Sequence, residues 1–398
     1  MNFLVAVTIL SLIIWLYLLL FRGRFWLTNQ RINPNLTPLN HYPSICAVIP
    51  ARNEADVLPI SLKSLLTQDY SGDFSIILVD DQSTDGTEKI AKEVAKKCQQ
   101  SQRLTVISGQ PLAPGWSGKL WAMEQGICQA NKQAVKPDYL LLTDADIEHH
   151  NSNLQELVTK AEQESLALTS LMVWLRCQSF WERFLIPAFI FFFEKLYPFS
   201  WVNNPRHKMA AAAGGCILIR RDILEEIGGI EVVREALIDD CSLAAAVKAK
   251  LQENTKNPTQ GIWLGLSEKT KSLRPYNSLE SIWNMVARTA YTQLYYSPFL
   301  LLGTLVGMTL VYLVAPISLI MGLILSNQVI LIIGAITWLL MAISYLPTLK
   351  LYRCSPLWGF ALPIIGFLYS LMTLDSAWRH WRGKGGNWKG RVYSIKNS

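Results

Sequence analysis

A chain of 398 residues is long enough for one large domain or two ordinary ones, and with 51% hydrophobic and 17% charged residues it falls short of the about 25% charge of a typical soluble protein. That composition points to a membrane protein with a substantial soluble part. The net charge of +7 does not describe a nucleic-acid binder, because Arg379, Arg382, Lys384, Lys389, Arg391 and Lys396 place +6 in the last twenty residues and leave the body nearly neutral.

Beside apolar segments, such a tail suits an anionic membrane surface, at about 1 kcal/mol per Lys or Arg; a solvated, disordered tail is the alternative. The seven cysteines are odd in number and scattered, with no CxxC pair. They argue against a disulfide framework or a zinc site and for a reducing compartment.

Asn2 to Phe21 carries no charge over twenty residues, enough to cross about 30 Å of hydrocarbon as a helix. Arg22, Arg24 and Arg31 come directly after it. Residues 1–22 therefore read as an uncleaved anchor, and the positive-inside rule places the chain beyond it on the cytoplasmic side. Pro34, Pro38 and Pro43 mark a linker. Ile45 to Ile49 reads as a strand stopped by Pro50, succeeded by a loop with Asn53 and Glu54 and a helix from Val57 to Thr67. Ser75 to Val79 is a second strand ending in Asp80 and Asp81, and a helix runs from about Glu88 to Cys98. Leu104 to Ile107 is a third strand. This is the βαβ pattern of a parallel sheet, and so of the α/β class. No GxGxxG or GxxxxGK[ST] comes after any strand, which excludes a Rossmann fingerprint and a P-loop.

Lys119 stands at a glycine-flanked helix start, where helix N-termini attract phosphate; a surface lysine is the plainer reading. Leu140 to Asp146 reads as a buried strand with Asp144 and Asp146 on one side of its carboxyl end. Paired there, they can hold a divalent cation and, through it, a diphosphate. A solvated strand-end turn is the alternative. Phe180 to Trp201 is aromatic but carries Glu182, Arg183, Glu194 and Lys195, so it reads either as an amphipathic helix on the bilayer surface or as a core helix. Gly214 and Gly215 precede a strand and allow close backbone approach by a ligand. Asp239 and Asp240 open a helix, where carboxylates are electrostatically favoured as caps.

Three uncharged stretches lie toward the C-terminus: Pro298 to Leu325, Val329 to Leu346 and Pro356 to Leu374. Three crossings after a cytoplasmic domain would put the basic tail outside. Two crossings and one re-entrant or interfacial segment keep it inside, and the charge rule favours that arrangement.

Taken together, the motifs are Val48-Ile-Pro-Ala-Arg-Asn-Glu54, Leu78-Val-Asp-Asp-Gln-Ser-Thr-Asp-Gly-Thr87, Gly118-Lys119, Thr143-Asp-Ala-Asp146, Gly214-Gly215 and Ile238-Asp-Asp-Cys-Ser-Leu243. Their order and spacing resemble family 2 glycosyltransferases of the GT-A fold. Gly115 to Lys119 and the terminal membrane segments look like the hopene-associated glycosyltransferases of bacteria. The resemblance implies a GT-A domain over residues 44–275; the apolar and charge pattern adds an interfacial helix over 276–297, membrane segments over 298–375 and a basic tail over 376–398.

It also implies roles. Asp81, with Asp80, would bind the base of a nucleotide-sugar donor, and Pro50, Asn53 and Glu54 would line the nucleoside pocket. Asp144 would face the ribose or the metal, Asp146 would ligate Mg2+ or Mn2+, and Lys119 would help hold the donor. Asp240 matches the general base. Asp239, Gly214, Gly215 and Arg288 fall on the acceptor side. Where processive members carry Q/RxxRW, this chain has Arg288 without the tryptophan, so polymer synthesis is not expected. The resulting expectation is a multi-pass protein of the cytoplasmic or inner membrane. It would be an inverting, metal-dependent transferase moving sugar to a lipid, hopanoid or polyisoprenoid. Transfer to polyprenyl phosphate, or a silent GT-A membrane scaffold, are the alternatives. Intact Asp81, Asp146 and Asp240 argue against silence.

Overall fold

Strands covered by helices on both faces must be apolar throughout, and three stretches meet that demand. β1 (Ile45–Ala51), β2 (Phe74–Asp80) and β4 (Tyr139–Thr143) are buried along almost their whole length. The computed structural model describes residues 2–33, 35–253, 260–383, 387–388 and 391–392. After α1 (Asn2–Phe21) and β1 come α2 (Leu58–Leu66), β2, α3 (Thr87–Lys97), β3 (Leu104–Ser108), α4 (Gly118–Ala130), β4, β5 (Ile147–His149), α5 (Asn153–Gln163) and β6 (Leu166–Trp174). Then come α6 (Phe180–Leu196), α7 (Phe199–Val202), β7 (Cys216–Arg220), α8 (Arg221–Glu226), α9 (Asp239–Glu253), β8 (Gly261–Ser272) and α10 (Leu279–Ala287).

The strands form one mixed sheet in the order β3-β2-β1-β4-β7-β6-β8-β5. β3, β2, β1 and β4 are parallel, while β7 runs against both β4 and β6. The chain leaves β1 toward β2 on one side and reaches β4 on the other. That reversal opens a crevice at the strands' carboxyl ends, where open α/β sheets bind ligands. α4 covers one face and sits so close that a Cβ on Gly126 would lie 2.4 Å from Val48 Cγ1.

Two strand ends differ from expectation. Pro50 does not stop β1; it pairs with Val79 inside the parallel ladder. β4 pairs with β1 only as far as Val48, so no neighbour on that side asks Pro50 for the N–H it lacks. The strand expected to carry both Asp144 and Asp146 ends at Thr143. The Thr143 hydroxyl bonds Gly215 O (2.8 Å) and the His149 ring (3.0 Å). From there the chain turns away to β5, which pairs with β8 at the far edge, and both acids fall in the turn.

α6 is neither an isolated surface helix nor a core helix of the sheet domain alone; it packs against the apolar helices. Phe191 packs on Tyr345 and Phe192 on Tyr369 and Tyr312, all three from the apolar helices. Those helices are α11 (Pro298–Met308), a π-helical turn Thr309–Leu313, α12 (Val314–Ile324), α13 (Gln328–Leu351), a 3-10 segment Pro356–Ala361 and α14 (Leu362–Trp381). α1 joins them through one polar stripe. Ser11 donates to Leu310 O and Trp15 to Val311 O, both at 2.7 Å, and Thr8 bonds Ser318 at 2.7 Å. A π-turn frees carbonyls from the helical ladder, and in hydrocarbon they must find donors.

By length and apolarity four stretches can cross a membrane: Asn2–Phe21, Pro298–Ile324, Gln328–Leu351 and Pro356–Trp381. The contacts separate the last from the others. At its start, Trp358 packs on Phe180 and Phe184, at the beginning of α6. Further along, Phe360 O accepts from Trp338 (3.2 Å), and Gly366 abuts the Tyr312 ring. At its end, Asp375 accepts from Trp283 (2.7 Å), Arg379 donates to Asn284 (2.7 Å) and His380 stacks on Tyr296 (4.2 Å). Both ends therefore pack outside the apolar stretches, the first on α6 and the last on the Trp283–Tyr296 stretch around α10. Of the tail, Lys384, Lys389 and Lys396 lie outside the described residues; Asn387–Trp388 and Arg391–Val392 form a two-stranded ribbon.

The α12–α13 turn gives a test of close packing. A Cβ on Gly322 would lie 2.6 Å from Leu331 N, a backbone atom that cannot move aside, whereas Gly303 has nothing within 4 Å. Gly322→Val should cost about 1–3 kcal/mol, read as a lower thermal midpoint in detergent. Gly303→Ala should not lower the midpoint and should raise it slightly, because it replaces glycine by alanine inside a helix with open space around it.

Candidate active site

The loops after β1 and β2 are zipped together. Asn53 N donates to Ser83 Oγ (2.9 Å) and Thr84 N to Asn53 Oδ1 (2.8 Å). Glu54 N donates to Thr87 Oγ1 (2.9 Å), and Asp85 accepts from Ala55 N and Thr87 N (3.0 Å each). Asp80 Oδ1 accepts from Ser83 N (2.9 Å). Arg52 donates to Asp81 O and stands 3.7 Å from the Asp81 carboxylate, which is fully buried. Asn53 takes φ +51°, a left-handed position that asparagine tolerates better than most residues. Thus Pro50, Asn53, Glu54, Asp80 and Asp81 share one rim of the crevice. The Asn53 carbonyl oxygen serves the loop itself.

The Asp144-Ala145-Asp146 turn forms the floor. A buried network supports it: His149 bonds Thr143 and Asn153 (3.0 Å each), and Thr270 donates to Asn153 Oδ1 (3.0 Å). Burial pushes His149 down to about 3, so the ring is a neutral structural group. The two carboxylates turn to different cations. Asp144 meets Lys119 at 2.9 Å. Asp146 meets Arg274 Nε at 3.1 Å, and the other arm of that guanidinium lies 3.5 Å from Glu54.

No sequence motif singles out Arg274. It stands two residues after β8, at a strand end, which is the available signal. Its backbone is held: Leu273 N donates to Asp146 O (2.8 Å), and Tyr276 N to Glu182 (2.8 Å). Glu182, buried at the start of α6, also accepts from Gln178 N and Ser179 N (2.8 Å each).

The acid pair opens α9. Lys119 reaches Asp239 at 3.3 Å as well as Asp144, and so ties this helix start to the floor. Burial opposes the lysine's charge, but Asp144 and Asp239 outweigh it and hold Lys119 protonated. Asp240 accepts from Gly214 N and Cys241 N (2.8 Å each). A Cβ on Gly214 would lie 3.2 Å from Lys119 Nζ and 3.4 Å from Asp240 Oδ2, so the glycine leaves room for this cluster. Gly215 lies against Val173 and Ile147 instead. Burial first, then Asp239, raise Asp240 to about 6, against the pull of Lys119 and the two N–H donors.

Toward the apolar helices, the Tyr197 hydroxyl accepts from Gln293 (2.6 Å) and lies within electrostatic reach of Asp240. Arg288 caps the end of α10 and is exposed; it faces Tyr276, while Arg274 is the arginine at the Asp144–Asp146 turn.

The donor set suits a hard divalent ion. Mg2+ is commonly held by one or two carboxylates and completed by substrate phosphates. Asp144 and Asp146 supply that number. Among the described residues, no group of three or more His, Cys, Asp or Glu stands ready to hold an ion unaided.

Residues 46–228 match the family model described as Glycosyl transferase family 2. A 4,4'-diaponeurosporenoate glycosyltransferase of Staphylococcus haemolyticus is 32% identical over 130 residues, 32% of this chain and 31% of that protein. A probable glycosyltransferase of Bacillus subtilis is 26% identical over 252 residues, 62% of this chain and 57% of that protein. The matches thus span between a third and little more than half of those relatives. A mannosyltransferase of Pyrobaculum calidifontis, solved with GDP-Man and Mn2+, aligns over 93% of this chain and 99% of its own, with a TM-score of 0.51 at 16% identity. That likeness is one of fold.

The raised Asp240 carboxyl has a thermodynamic signature. Its native value of about 6 lies above the usual carboxylate range, so the folded state binds the proton more tightly than the unfolded state does. Ionising it costs stability, and the cost grows as pH rises from about 4 to about 6. Over that window the parent should lose stability relative to Asp240→Asn, as read by denaturant midpoints. Above and below it the two curves should run parallel.

Proposed function

The chain belongs to glycosyl transferase family 2 through residues 46–228, and on that premise we propose that it is a membrane-bound, inverting, metal-dependent glycosyltransferase. It takes sugar from a nucleotide-sugar donor and passes it to the hydroxyl of a lipid, of hopanoid or polyisoprenoid type. The observation that carries this reading is the Lys119 bridge. It joins Asp144, at the end of the parallel strands, to the Asp239–Asp240 helix start. Donor-side and acceptor-side acids so become one cluster.

Asp81 and Asp80 bind the base, and the Pro50–Glu54 loop walls the nucleoside. Asp144 and Asp146 would hold Mg2+ or Mn2+ on the donor's diphosphate, where the ion offsets the charge of the leaving group. Asp240 takes the proton from the acceptor hydroxyl as its oxygen attacks the anomeric carbon from the side opposite the diphosphate. A carboxyl raised to about 6 is a stronger base than an ordinary aspartate and is still ionised at neutral pH. Gly214 N and Cys241 N hold it in place. Tyr197 lies within electrostatic reach of Asp240 and accepts from Gln293, five residues before α11, which supports an acceptor that reaches the site from the bilayer. The name of the staphylococcal relative, a glycosyltransferase of 4,4'-diaponeurosporenoate, supports a discrete small acceptor over a growing polymer.

The sheet domain lies on the cytoplasmic face of the cytoplasmic membrane, with α1, α11–α12 and α13 as crossings. The re-entrant Pro356–Trp381 segment returns the basic tail to the same face.

In lipid nanodiscs with Mn2+ and a panel of nucleotide sugars, the protein should release nucleoside diphosphate, and Asp146→Ala should abolish that release. Asp240→Asn should lower kcat by about 100-fold or more. Parent kcat should fall as pH drops below about 6, because the base is then protonated. An Asp240→Asn enzyme that turns over like the parent would remove the base assignment. In oriented vesicles, a tag after Ser398 should be digested from the side of the sheet domain, and one inserted between Ser326 and Asn327 from the opposite side.

A further inference from the structure

Both carboxylates of the Asp144–Asp146 turn already carry a cation that belongs to the chain. Lys119 lies 2.9 Å from Asp144 and Arg274 Nε 3.1 Å from Asp146. The two cations are held differently. Lys119 is clamped between Asp144 and Asp239, and its side chain is only 16% exposed. Arg274 is 38% exposed and grips loosely, with one arm 3.5 Å from Glu54. Its backbone is fixed on both sides by the Leu273–Asp146 and Tyr276–Glu182 hydrogen bonds. A guanidinium on an anchored backbone with a half-open side chain can exchange partners without moving the fold. Its planar fork suits the oxygens of a diphosphate as well as those of a carboxylate.

We propose that Arg274 is a stand-in for the divalent cation, pairing with Asp146 until donor and metal bind and then passing to the diphosphate. This rests on the nucleotide-sugar reading above. A metal ion that comes alone meets a guanidinium already seated on Asp146, and like charges at that separation repel. A metal that comes with a diphosphate brings the anion to which Arg274 can move. Metal and nucleotide therefore favour each other's binding, and a divalent ion alone binds more weakly. Arg274 acts here as a positioning and charge-exchanging residue; it takes no proton and breaks no bond.

The test measures Mn2+ binding by electron paramagnetic resonance, and binding of GDP, UDP, ADP and dTDP by calorimetry, on the full chain in nanodiscs. The parent should bind Mn2+ alone at least about tenfold more weakly than it binds Mn2+ with its preferred nucleoside diphosphate. In Arg274→Met the two affinities should move in opposite directions. Mn2+ alone should bind about tenfold tighter, and the nucleotide with Mn2+ about tenfold weaker. Arg274→Lys should fall between. An arginine that only supported the fold would weaken both. If the parent binds Mn2+ equally well with and without nucleotide, the inference fails whatever the variant does. If nucleotide binds the parent but Arg274→Met holds Mn2+ no tighter, the inference fails alone. If no nucleoside diphosphate binds the parent, the donor reading fails and takes this one with it.

Discussion

One buried ammonium, Lys119, decides whether this site is one place or two. The Asp144 turn belongs to the parallel half of the sheet, and Asp239 and Asp240 belong to a helix that begins about ninety residues later. Nothing in the strand ladder joins them directly. The lysine does so from α4, whose own position depends on Gly126 letting it lie against Val48. Remove the charge and three carboxylates face one another in a half-buried crevice. The native arrangement is then unfavourable unless protons or another cation take its place.

The second dependence is mechanical. α6 is wedged between the sheet and the apolar helices, so the two parts share a core. Its N-terminal end holds Glu182, which fixes the loop that carries Arg274. Its other end holds Lys195 against Tyr312 (2.6 Å) at the π-turn. A shift of the helices in the bilayer would thus be felt at the floor of the crevice within the length of one helix.

The strand ends were legible because runs such as Ile76 to Val79 and Leu140 to Leu142 have no polar alternation, and the acids beyond them stand out. The Asp239–Asp240 helix start and Lys119 were legible for the same reason, as charges at the edge of apolar segments. The splitting of Asp144 and Asp146 between two cations was not. It depends on Thr143 being pulled to Gly215 and on β5 leaving for the edge of the sheet, pairings made by residues 72 to 128 positions away. Arg274 was hidden by the same distance. For Phe180 to Trp201, the aromatic content fits a bilayer surface and a shared core equally well, and only the partners distinguish them. Composition does not separate Pro356–Trp381 from the other three apolar stretches, since all four have the length and apolarity of a span; only its contacts set it apart.

The polar stripe of α1 carries a cost in time. Trp15 finds its acceptor at Val311, 296 residues later, and Ser11 finds Leu310, 299 residues later. At about 10 residues per second, α1 is complete roughly half a minute before its partners are synthesised. Through that interval the indole N–H has no acceptor within its own helix, and the whole sheet domain is made while the anchor is incomplete. Biogenesis of this protein therefore includes a late docking step. A ribosome that stalls before Leu310 leaves the sheet domain joined to an α1 whose indole N–H still lacks its partner.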